Sequence, residues 1–194
     1  MRIGRRLALL VLAGGLALSA CTRGQITDEQ LYALMEQTAL QGRWDEADRF
    51  ARAYILRNPE DPAGHFYLGF RYLHSDQPWF GVALGQYRMA LKLFEEGGRV
   101  NPIPRFEDAS IFEGLCHLEI SKVYQKQLLF LLDADAPREA YGPLIDNWQE
   151  AVDIVREIDP ESTAVREYDR LIQEFRLYIE ELPSRPTGFQ LETL

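Results

Sequence analysis

Residues 65–91 read HFYLGFRYLHSDQPWFGVALGQYRMAL, and their spacing decides the fold. Apolar and small residues recur at helical intervals on either side of a polar break, Ser75 to Pro78. The stretch predicts two helices folded back on each other. Gly69 on the first, with Ala83 and Ala90 on the second, removes side-chain bulk where a neighbour must come close. Leu68, Tyr72 and Tyr87 surround those small positions and interlock around them.

Upstream, Thr27 or Asp28 caps a first helix, Glu29 adds charge to its first turn, and Leu31, Leu34, Met35 and Thr38 follow until Gly42. A second helix carries Trp44, Ala47, Phe50, Ala51, Tyr54 and Ile55 and stops at Asn58-Pro59. Pro62 suits the first turn of the third, where no amide donor is needed. The fourth ends at Gly97-Gly98, and Asn101 to Pro104 reads as a rigid linker. A fifth helix, about Glu107 to Leu132, closes on the apolar run QLLFLL. Asp135-Ala136-Pro137 opens a sixth, interrupted at Gly142-Pro143 and running to Asp159. Ser162 or Thr163 caps a seventh, with Val165, Tyr168, Leu171, Ile172, Phe175 and Ile179 as its apolar stripe. Its other side carries Glu167, Asp169, Arg170, Glu174 and Arg176. Residues 183–194 lack periodicity and read as a mobile tail. No stretch alternates as a strand would.

Taken in pairs, the helices repeat. Ala47 and Ala83 lie 36 residues apart, and Asn-Pro steps follow the second and fourth helices. This resembles the tetratricopeptide pattern of about 34 residues: an aromatic, Leu-Gly, Tyr, Ala, an aromatic, Pro. In the best unit His65 stands in the aromatic slot, followed by Leu68-Gly69, Tyr72, Ala83, Tyr87 and Ala90. It departs from the family in having His65 for Trp and a turn two residues longer. The first unit matches at Leu31, Leu34, Gly42, Trp44, Ala47 and Pro59, with Met35 where Gly is usual. A third unit is degenerate, with Phe112, Leu115 and Cys116, then Trp148 and Ala151 beyond an insertion at about 121–145. The resemblance implies an all-α solenoid of antiparallel helix-turn-helix repeats, about three units and a C-terminal capping helix.

In that family the first helix of each unit lines the groove. The slots transfer to Tyr32 and Glu36, to Phe66, Phe70 and His74, and to Glu113 and His117. Phe66 and Phe70 are one turn apart and outside the Leu-Gly-Tyr contacts. Beside acidic residues they suit a peptide with apolar anchors and some basic character.

The N-terminus reads MRIGRRLALLVLAGGLALSAC. Arg2, Arg5 and Arg6 precede an apolar run from Leu7 to Leu18, the layout of a secretory signal. Those twelve residues fall short of the about 20 that span a bilayer. Leu18-Ser19-Ala20-Cys21 resembles the lipobox of bacterial lipoproteins, matching at all four positions. The resemblance implies a diacylglycerol on the Cys21 thiol and an N-acyl chain on its amine, which together anchor stably where one chain would not. Thr22 stands where an Asp would favour the inner membrane, which implies the periplasmic face of the outer membrane. Four segments result: a signal peptide (1–20), a lipidated N-terminus with a short tether (21–26), a helical domain (27–182) and a tail (183–194).

Composition narrows the chemistry. Lys and Arg number 21 against 30 Asp and Glu; without the three leading arginines the balance is 18 − 30 = −12. Phosphate backbones repel such a domain, so nucleic acid is excluded as a partner. Assigning Cys21 to lipid leaves Cys116 as a buried small residue in an apolar helix. The histidines His65, His74 and His117 show no metal-ligand spacing, and no nucleophile triad or phosphate loop appears. Glu150, Asp153 and Glu157 share one helix face with Arg156 nearby and read as a solvated surface.

No enzyme, metal or cofactor is therefore expected beyond the acyl chains. The expected function is a non-catalytic, membrane-anchored adaptor for a protein or peptide partner in the bacterial envelope. The alternative is a small-molecule-binding accessory of a periplasmic transport system, which would need a cavity enclosed by Phe66, Phe70 and the QLLFLL segment. A third reading is an enzyme subunit whose tail docks a catalytic partner.

Overall fold

A computed structural model describes residues 26–97 and 109–182. The expected signal segment, Cys21 with residues 22–25, the linker at 101–104 and the tail from 183 lie outside the described residues. Within them the chain forms α1 (Asp28–Leu40), α2 (Trp44–Arg57), α3 (Pro62–His74), α4 (Phe80–Glu95), α5 (Ala109–Asp133), a 3₁₀ turn (Arg138–Ala140), α6 (Gly142–Ile158) and α7 (Thr163–Glu181). The described residues contain no strand, and none of their helices is long and apolar enough to cross a membrane.

Local chemistry sets the boundaries. Thr27 and Gln30 form a reciprocal capping box at the start of α1. Gly42 takes φ +69°, a left-handed position that glycine occupies without strain, and turns the chain from α1 into α2. Asp61 caps α3 by accepting from the Ala63 amide at 2.9 Å and also accepts the Tyr54 hydroxyl at 2.6 Å. Gly142-Pro143 proves to be the start of α6 rather than an interruption within it, because Pro143 sits in the first turn where its missing N–H costs nothing. Ser162 holds the N-cap position of α7 but makes no side-chain cap bond.

The architecture is an all-α solenoid. Helices pair as α1/α2, α3/α4 and α5/α6, successive pairs join through α2/α3 and α4/α5, and α7 packs on α6. The first helices of the pairs touch as well, α1 with α3 and α3 with α5, forming an inner row. Ala47, Ala83 and Ala90 are fully or almost fully buried at the helix crossings. A Cβ on Gly69 would lie 3.0 Å from two carbons of the Tyr87 ring and 3.1 Å from a third. Gly64, which spacing alone did not single out, sits as tightly against Ile55 and Tyr54 on α2. These two glycines let α3 lie between α2 and α4.

The contrast with α4 gives a test. Tyr87 is fully buried and cannot withdraw from an added methyl group. Gly69→Ala is expected to cost about 1–3 kcal/mol by overpacking. A Cβ at Gly81 or Gly85 meets nothing within 4 Å, so Gly81→Ala and Gly85→Ala should each gain about 0.5–1 kcal/mol from helix propensity. Urea unfolding of the three variants checks the sign at each position; Gly69→Ala as stable as the parent would contradict the close contact.

Candidate functional site

The described residues hold one polar cluster on the inner row and one apolar cleft between α5 and α6. The cluster centres on Glu119 of α5, buried within Leu118-Glu119-Ile120. A carboxylate there must be paired, and it is. His74 of α3 donates from Nε2 to Oε2 at 3.1 Å, the Tyr87 hydroxyl reaches the same oxygen at 3.4 Å, and Lys122 holds Oε1. Burial pushes the Glu119 pKa up, but the His74 hydrogen bond and the Lys122 ammonium outweigh it, and the carboxyl titrates below its ordinary range. Phe70 lies one turn before His74 and stacks on its ring, with centroids 4.1 Å apart. One turn on from Lys122, Lys126 donates to the Leu73 carbonyl at 3.3 Å, answering the negative end of α3.

Beside it, Tyr32 and Tyr67 link α1 to α3. The Tyr32 hydroxyl donates to that of Tyr67 at 3.3 Å, which donates to Glu36 at 3.0 Å. Burial, with Tyr67 and Glu36 close by, raises the Tyr32 pKa far above that of a free phenol. Both rings belong to the core, so Tyr32 contributes hydroxyl chemistry and not an exposed wall.

Several groove residues inferred from the repeat sit elsewhere. Phe66 is 7% exposed and packs against Tyr87 and Phe112, each 5.7 Å away between centroids. Phe94 closes the same cluster from the other side of Phe112, at 5.5 Å. Phe66 therefore joins the second unit to α5 instead of facing a groove. Glu113 and His117 do not join the cluster with α3. The charges felt by His117 are those of Glu113, Glu95 on α4 and Glu150 on α6, and burial lowers its pKa despite them. Both are half-buried, and the His117 Nδ1 is buried without a hydrogen-bond partner. Phe70, His74 and Glu36 remain half-buried on the inner row.

On α5 the apolar residues that are not fully buried are instead exposed Ile111 and half-buried Leu115 and Leu118, at i, i+4 and i+7. Because α7 packs mainly on α6, a cleft of about 290 Å3 opens over these residues, floored by Val155 and Ile158 and bounded by Asp159 and Ser162. The QLLFLL run divides: Leu128 is buried, while Leu129 and Phe130 are exposed. Phe130 meets Phe80 of α4 at 6.2 Å. With Phe66 in the core and Phe130 turned outward, these segments do not close around a common cavity.

Sequence reasoning missed Glu119, Lys122 and the α5 stripe. The available signal was a single carboxylate between two apolar residues with a lysine three positions on, a charge that cannot stay buried alone. Cys116 is buried and its thiol is pushed up by burial with Glu119 and Glu113 nearby, the opposite of a reactive setting. Among the described residues no three His, Cys, Asp or Glu side chains converge as a metal site requires. No protein-family model matches the chain, and no curated protein matches its sequence.

Proposed function

We propose that this chain is a non-catalytic adaptor of the tetratricopeptide kind, anchored through acyl chains on Cys21 at the periplasmic face of a bacterial outer membrane, that holds a protein or peptide partner along its inner row. The observation that carries the binding part is the apolar cleft between α5 and α6, lined by exposed Ile111 and half-buried Leu115 and Leu118. Apolar residues one helical turn apart in an open groove suit a segment that presents its own apolar anchors at matching intervals. Half-buried Phe70 on α3 and half-buried Glu36 on α1 add an apolar and an acidic side chain to the same row of helices. A partner with apolar anchors and basic flanks fits this arrangement. The anchor rests on the run from Arg2 to Cys21.

A photo-crosslinking residue placed at Leu118 in cells is expected to trap a discrete protein adduct. The same residue at Leu56, which is 84% exposed on α2, should trap none. Leu115→Asp should remove the Leu118 adduct while leaving the helical circular dichroism signal intact. Equal adducts from both positions, or an adduct indifferent to Leu115→Asp, would sink the groove. Cys21→Ala tests the anchor separately and should move the protein from the membrane to the soluble periplasmic fraction.

A further inference from the structure

A second site lies away from the inner row, in the seam between α2 and the α3–α4 turn. Asp45, Asp48, Arg52, Arg71, Tyr72 and Trp79 line an open cleft of about 290 Å3. Its charges balance, two carboxylates against two guanidinium groups, but its hydrogen bonds do not. Asp48 is occupied at both oxygens by Arg52, which donates from Nε at 2.7 Å and from Nη2 at 3.3 Å. Arg52 also donates to the Tyr72 hydroxyl at 2.7 Å. Arg71 is left over. Its Nε is buried with no hydrogen-bond acceptor, and the nearest carboxylate oxygen, of Asp48, stands 3.9 Å away, within ion-pair reach but beyond hydrogen bonding. Only 20% of the Arg71 side chain is exposed, and its guanidinium is held over the Tyr72 ring at 4.6 Å.

The guanidinium is held in place on the Tyr72 ring, its buried Nε lacks an acceptor, and its terminal amino groups are the donors left for a ligand in the cleft. Its planar fork matches a carboxylate, which can accept two parallel N–H bonds. Trp79 forms the other wall. It lies against Tyr72, with centroids 6.0 Å apart, and is still 59% exposed. Arg, Tyr and Trp together are the residue types that dominate binding energy at interfaces.

We propose that this cleft binds a single carboxylate, gripped by Arg71, whose apolar carrier lies on Trp79. Asp45 and Asp48 in the same lining disfavour a dianion, so a phosphate is the wrong ligand. The volume admits one side chain or a small acid and is below that of most cofactor sites. The carboxylate has two available sources, the terminus or acidic side chain of a protein and a free small acid. The site shares no residue with the inner-row groove and does not rest on that reading.

The test titrates the full chain with phenylacetate and its uncharged amide, phenylacetamide, and with the peptide Gly-Gly-Phe bearing a free or an amidated C-terminus. The readouts are the chemical shifts of the Trp79 indole N–H and the Arg71 Nε–H. Both acids should move both resonances and both amides should move neither. Arg71→Gln should weaken acid binding about tenfold or more without lowering the thermal midpoint. A tripeptide acid that binds about tenfold or more tighter than phenylacetate identifies a protein chain as the source, and equal affinity identifies free acids. The proposal fails if saturating acid leaves the resonances unmoved, if amides bind as well as acids, if inorganic phosphate outcompetes phenylacetate, or if Arg71→Gln binds like the parent. Leu115→Asp, which disables the inner groove, should leave this binding unchanged.

Discussion

Trp148→Ala is expected to lower folding stability by about 3–5 kcal/mol, the range for truncating a large aromatic in a closed core. Trp148 is fully buried on α6 and meets Tyr168 and Phe175 of α7 edge-on, at 5.7 and 5.9 Å. These are the rings that fasten the last helix to the stack. In a solenoid each element leans on its neighbour, so the loss should be local before it is global. Hydrogen exchange of the variant should show amides around Ile172 and Phe175 opening while α1 to α4 keep their protection. The indole Nε1 of Trp148 is buried without a hydrogen-bond partner, so the ring contributes through packing alone. Trp148→Phe should therefore retain most of the stability, because it removes an unsatisfied donor along with some contact area. Uniform loss of protection along the chain, or an alanine variant within about 0.5 kcal/mol of the parent, would show that α7 is held by something else.

How far the sequence reaches differs between fold and site, for a physical reason. Gly69, Ala83 and Tyr87 were legible because contacts inside one helical hairpin fall at fixed spacing. The cap was legible too, since α7 has a clean apolar stripe opposite its charged side. The Phe66 contacts were not. Its partner Phe112 belongs to the next unit, and no spacing within residues 65–91 reports how that unit docks. The register of α5 was hidden for a second reason. Ile111, Phe112, Leu115, Cys116, Leu118, Ile120 and Val123 are apolar around most of the helix, so no single face stands out. Which side faces inward is decided by α4 and α6 packing against it and by α7 standing off, a tertiary choice. The cluster around Glu119 needed the same information. His74 and Glu119 are 45 residues apart and meet only because α3 and α5 are neighbours in the row.

Glu119→Ala should then cost about 3 kcal/mol, because it strips a buried acceptor from His74, Lys122 and Tyr87 at once. Lys122 is 39% exposed and can turn to water, whereas the Tyr87 hydroxyl is buried and would be left without its acceptor. Glu119→Gln keeps the shape and part of the hydrogen bonding, and should lose less. The pH dependence separates charge from packing. The folded state holds the Glu119 pKa below its ordinary value, so the unfolded chain binds the proton more readily. The stabilisation is thus fully present above the unfolded value of about 4.3 and fades as pH falls towards the folded one. Urea unfolding of parent and Glu119→Gln from neutral to acid pH should give curves that converge on acidification below about pH 4.3. A constant gap over that range would mean that Glu119 stabilises the row by shape and not by charge. Convergence would make the carboxylate an electrostatic clasp between the second and third units, holding Phe70 and His74 in place on the inner row.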